Sequence, residues 1–241
     1  MPHPRPALLL LLLLLTSAAC AQKTVDTQQL GWVRYHLRLP LQGPYALRQE
    51  LEERAYWFPW RQHQLVSRSV IERRLGRDWN AGLGLTVFRQ SLPHDPHAVI
   101  TQTRTEVRPM LELAGLQPLN DKLALHHRYW AELRYFGGTD GGLSFANYRF
   151  RYRLELRYRP HPEWQLRAFD EIMVNAGRQV VANTFDQNRY GGSLQYQFSK
   201  QVGAELGYLR WFQQRSSGDE FYDRHIVRLT LHHQLPAPRR D

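Results

Sequence analysis

Apolar and charged residues alternate along most of this chain with a period of two, most regularly in Tyr148–Arg159. There Tyr148, Phe150, Tyr152, Leu154, Leu156 and Tyr158 take the even positions, and every odd position is arginine except Glu155. Period two places the two sets on opposite faces of a strand. Tilted near 45° and rising ~3.3 Å per residue, the ten steps from Tyr148 to Tyr158 climb about 24 Å. That is the height of the apolar band of a membrane-spanning barrel, about 25 Å between its aromatic girdles. A long strand of a soluble sandwich would alternate in the same way, so the rest of the chain has to decide.

Alternation of the same kind marks Val33–Leu39, Tyr45–Glu52, Gly82–Phe88, Gln102–Leu113 and Leu123–Tyr135, and, less cleanly, Trp60–Arg74. Beyond Tyr148–Arg159 it continues through Trp164–Asn175, Arg189–Phe198, Val202–Tyr208 and Arg224–His232. Helical i, i+3, i+4 spacing is nearly absent, which makes the chain all-β. The predicted strands number eleven. Single-chain bacterial barrels have even numbers, so a short twelfth strand over Thr24–Gln29 is one expectation and a wrongly split element the other.

The connections point to a barrel. Tight turns fall at Gln42-Gly43-Pro44, Gly76-Arg77-Asp78, Asn120-Asp121-Lys122, Pro160-His161-Pro162 and Ser199-Lys200-Gln201. Longer loops are expected around Trp57–Trp60, Leu92–Thr101, Gly137–Ser144, Ala176–Thr184 and Gln214–Tyr222. Short and long thus alternate strictly, as in an up-and-down antiparallel transmembrane barrel with short periplasmic turns and longer outer loops. The expected architecture is one such barrel of about ten to twelve strands.

Residues 1–21 read as a secretory signal: Arg5 before an apolar run at Ala7–Leu15, then Ala19-Cys20-Ala21 before Gln22. The barrel domain is then 22–241. A lipoprotein reading of Cys20 is disfavoured by Ser17, which stands where a large aliphatic residue is expected. With Cys20 removed the exported chain has no cysteine, which excludes thiol chemistry and Cys-ligated metals. Removal of Arg5 takes the formal charge from +10 to about +9. The arginines alternate along strands instead of clustering, and an exported protein meets little nucleic acid, so lipid is the expected partner and nucleic acid is not. Protein partners are not readable.

Several segments resemble one bacterial family: Tyr56–Gln64, Phe169–Gly177, Phe185–Arg189, Gly207–Gly218 and Phe221–His225. It is known as domain of unknown function 2490, and the likeness spans essentially the whole exported chain. The resemblance implies an outer-membrane β-barrel of Gram-negative bacteria. It implies no activity.

Residues with catalytic potential are few. His63 and Ser67, four apart on a strand, are expected on one face about 13 Å apart, too far to act as base and nucleophile. A barrel enzyme acting on lipid or lipopolysaccharide would pair such groups across strands, with His225, His126 or the carboxylates Asp170 and Glu171 as candidates; Asp170, Glu171 and Asp186 lie near Arg167, Arg178 and Arg189 and read better as salt-bridged wall residues. Adjacent histidines, His126-His127 and His232-His233, face opposite ways on a strand and cannot chelate as pairs. No cofactor, metal or catalytic residue is expected. A third reading, a periplasmic lipocalin-like binder, would turn Phe150 inward and Arg151 outward.

The leading expectation concerns the polar face as a barrel lining: Arg48, Glu50, Glu52, Arg54, Arg104, Glu106, Arg108, Arg128, Glu132, Arg151, Arg153, Glu155, Glu171, Glu205, Arg224 and Arg228. Lone buried charges are costly, so glutamates should sit across neighbouring strands from arginines. Such a lumen would be narrow, crossed by Arg–Glu pairs, and rich in arginine.

Overall fold

The computed structural model describes residues 23–138 and 141–237, and the signal expected over 1–21 lies outside them. The described elements are all strands: β1 (Thr24–Pro40), β2 (Tyr45–Trp57), β3 (Trp60–Arg74), β4 (Trp79–Leu92), β5 (Gln102–Pro118) and β6 (Leu123–Gly137). They continue as β7 (Leu143–His161), β8 (Trp164–Ala176), β9 (Phe185–Gln197), β10 (Val202–Gln214) and β11 (Glu220–Gln234). Each pairs with its chain neighbours, and β1 meets β11 to close the barrel.

Two expectations are corrected. Thr24–Gln29 is not a twelfth strand but the first part of β1, so the count is odd. The physical consequence is that β1 and β11 run the same way, and the closing pair is parallel, Thr24 opposite Glu220 through Arg38 opposite Gln234. Every other pair is antiparallel. The loop expected around Trp57–Trp60 is instead a two-residue connection, Phe58-Pro59, with Trp57 and Trp60 paired across it. The other connections sort by length to opposite ends, with 93–101, 138–142, 177–184 and 215–219 at the long-loop end.

The two faces separate cleanly. Phe150 is 48% exposed on the outside, whereas Arg151 next to it is 8% exposed and turned inward. This is the reverse of a lipocalin-like arrangement. Val33, Leu51, Leu83, Leu111, Leu154, Leu194 and Leu229 continue the outer apolar belt. Inside, charge is not alone: Leu30, Trp32, Tyr56, Phe169, Leu209, Trp211 and Ile226 form a buried apolar cluster.

Candidate functional site: the barrel interior

Because side chains alternate across a strand, each inward arginine or glutamate has its like two residues away on the same face. Short links along one strand follow: Glu52 with Arg54, Glu106 with Arg108, and Glu155 with Arg153 and Arg157. Others bind neighbouring strands, as Arg68 to Glu50 at 2.6 Å and Arg228 to Glu205 at 3.1 Å. A third kind skips strands: Arg48 of β2 reaches Glu112 of β5 at 2.6 Å, and Arg128 of β6 reaches Glu171 of β8 at 2.8 Å. Only a closed wall facing its own interior allows that last kind.

In the upper half Glu106 accepts from Gln90, Arg108 and Arg134, and Glu132 is ringed by three arginines. Glu132 accepts from Arg149 at 2.5 Å and Arg151 at 3.2 Å, with Arg108 at 4.0 Å. Arg151 also holds Glu171 at 2.9 Å. Near the turn end, Glu205 gathers Arg167, Arg228 and His232. Of the sixteen residues singled out from the sequence, Arg48, Arg128 and Arg153 are half-buried and Arg104 is exposed at the long-loop mouth; the others are buried.

Aromatic rings fill the spaces between these guanidiniums. Arg68, Arg128 and Arg151 lie 4.6, 4.2 and 4.0 Å from the Trp130 ring, whose Nε1–H donates to Glu112. Arg54 lies 4.0 Å from Trp32, and Arg153 3.6 Å from Phe169. Stacking of this sort suits the flat guanidinium. Together these groups make a waist in which only about 40 Å³ stays open, about the share of liquid volume of one water. Above it lies a cavity of about 160 Å³, opening to a mouth of about 650 Å³ among the long loops. Below, the turn end holds a vestibule of about 330 Å³.

The candidate catalytic groups do not assemble. A register shift between Arg54 and Ala55 leaves His63 without a partner in the β2–β3 ladder. Both His63 and Gln64 are therefore buried, and the expectation that His63 shares a face with Ser67 is corrected, since Ser67 bonds Gln49 of the outer belt. His63 instead meets His94 at 3.1 Å. The hydroxyl–histidine contacts that form are tyrosines: Tyr35–His233, Tyr152–His127 and Tyr208–His225 at 2.7, 3.0 and 2.6 Å. Asp170 faces outward to Asn188, while Glu171 faces inward to the arginines.

The 93–101 loop folds against the mouth. Gln28 donates to the His94 carbonyl at 2.8 Å, and Arg61 to the carbonyls of Asp95 and Ala98. The His94 ring stands edge-on to Tyr222. Burial, then nearby Arg224 and Arg215, push the His94 imidazole down to about 3, with Glu106 opposing and Arg104 assisting. An unfolded histidine titrates near pH 6.5, so above that pH the group is neutral in both states and contributes no pH dependence. As pH falls from about 6.5 toward 3 the unfolded state takes up the proton first, and the docked loop loses stability. Proteolytic nicking within 93–101 is expected to accelerate between pH 7 and pH 4, and less so in His94→Asn. Equal protection at both values would contradict this.

Comparison with known proteins adds three findings. The model of a family described as a protein of unknown function, DUF2490, matches residues 29–222. A search of the curated proteins finds no match. Among solved structures the chain is similar to a NanC porin in a rhombohedral crystal form, with a TM-score of 0.52 and 12% identity. That likeness covers 86% of this chain and 98% of the other, and at such identity it is a likeness of fold.

Proposed function

This chain belongs to the family of unknown function DUF2490, and we propose that it is an integral outer-membrane barrel, structural or transport-related, whose narrow Arg/Glu-lined interior favours anions. The location is supported by the porin-like fold and by the outer apolar belt, which lipid covers. The single observation that carries the anion preference is the charge balance of the upper interior. Nine arginines line the cavity above the waist; six are paired with carboxylates, and Arg104, Arg189 and Arg224 leave the balance positive. Interior charges of one sign set the field along a pore and concentrate the opposite ion. The narrow waist limits passage to small ions.

The protein expressed with its leader is expected in the outer-membrane fraction, with gel mobility that changes on heating. Reconstituted into planar bilayers, it should pass small currents carried mainly by chloride. Recovery as a periplasmic species that needs no detergent would sink the reading.

A further inference from the structure

Six of the nine arginines around the upper cavity have a carboxylate partner: Arg54, Arg68, Arg108, Arg134, Arg149 and Arg151. Among the described residues Arg104, Arg189 and Arg224 have none. Arg224 is 1% exposed; its Nε donates to Gln28 and its Nη1 to Gln213, both at 2.7 Å, and its Nη2 is buried without a partner. Arg189 has one long contact, Nη2 to Gln187 at 3.4 Å, and its Nε is likewise buried and unpartnered. Both guanidiniums pack on Trp211, at 4.3 and 4.4 Å from the ring, so one indole holds the two cations in place. Arg104 is placed on Phe136 at 4.0 Å along the same cavity.

Buried guanidiniums left with free N–H groups are costly unless something compensates them, and water satisfies the hydrogen bonds but not the charge. We propose that the cavity above the waist binds one small oxyanion, a carboxylate or phosphate group, held by the guanidiniums of Arg189 and Arg224, which line it without a carboxylate partner. This rests on the transport reading of the same interior. Forked guanidinium donors match the paired oxygens of such a group, whereas a halide offers no oxygens to match. The cavity, about 160 Å³, holds the volume of about five waters, enough for the anionic head alone. Any body attached to it extends into the mouth, where Leu92, Ile100 and Tyr222 offer apolar surface beside Arg104 and Arg134. The waist stops the head from passing deeper while it is bound.

Calorimetric titration of the detergent-purified full chain with inorganic phosphate, and separately with acetate, at constant chloride, tests the site. Saturable binding of at least one of the two is expected, with none for neutral acetamide. Arg189→Gln and Arg224→Gln should each weaken binding about tenfold or more, the effect of losing one charge-assisted hydrogen bond. Arg38→Gln, at the turn end beside Glu72, should leave it unchanged. Heat-modifiable mobility verifies folding, and if Arg224→Gln fails to fold, Arg189→Gln decides alone. Absence of saturable binding, or equal binding by Arg189→Gln, overturns the inference. Anion-selective current without oxyanion binding removes this site and leaves the transport reading standing. Binding by a barrel that passes no current supports the site and ends that reading.

Discussion

Replacing Trp130 with alanine is expected to raise the conductance of the reconstituted barrel severalfold and to lower its stability by about 3–5 kcal/mol, the usual cost of deleting a buried indole. Three arginines stack on this ring and its N–H is bonded to Glu112, so among the described residues no other single side chain organises as much of the waist. The open space there is only about 40 Å³, and removing an indole from its edge enlarges it several times over. Trp130→Phe keeps a flat ring for the guanidiniums and should stay near wild-type conductance. Single-channel recording separates the two variants. Unchanged current in Trp130→Ala would place the narrowest point elsewhere.

The second large effect belongs to Glu132→Gln. Removing one partner from a buried charged network leaves its cations uncompensated, at a typical cost of about 3–5 kcal/mol. Glu132 is 1% exposed and holds Arg149 and Arg151, with Arg108 close by. Asp186 and Glu171 still reach Arg149 and Arg151 after the change, which keeps the loss toward the lower end of that range. The contrast is Glu220→Gln, whose partner Arg215 and own side chain are 43% and 41% exposed, where about 1 kcal/mol or less is expected. Urea unfolding in detergent micelles, followed by tryptophan fluorescence, compares them. Equal midpoints would mean that the interior network does not hold the barrel together.

Much of this architecture could be read from period two alone. The eleven strands, nearly all the turns and the side on which Arg151 or Glu155 lies follow from alternation, because a one-residue slip would put a whole charged row into the belt. What alternation does not carry is shear. Arg48 meets Glu112, Arg149 meets Asp186 and Arg167 meets Glu205 across intervening strands, and those meetings depend on how far each strand is offset in the closed wall. Pairs across neighbouring strands are expected from alternation and occur, and the closed wall adds these longer ones. Bulges are equally silent: the irregularity beside Ala55 turns His63 inward with no sequence signal. The interior aromatics did have a signal. Trp32 shares parity with Arg34, Trp130 with Arg128 and Glu132, and Phe169 with Arg167 and Glu171. That phase places these three inside, whatever their residue type.

Strand parity has a similar lesson. An even count rests on hairpins alone, each of which returns the chain to the end where it began. β1 and β11 both start at the long-loop end and finish at the turn end, so a parallel seam is the geometry that lets eleven strands close.

The reversal potential of the wild-type barrel in a planar bilayer, under a steep potassium chloride gradient, tests the central claim most directly. Arginines in excess over carboxylates above a tight waist predict a small conductance and a reversal potential of the sign set by chloride. A wide conductance with the sign set by potassium would contradict both the facing of the strands and the pairing of their charges.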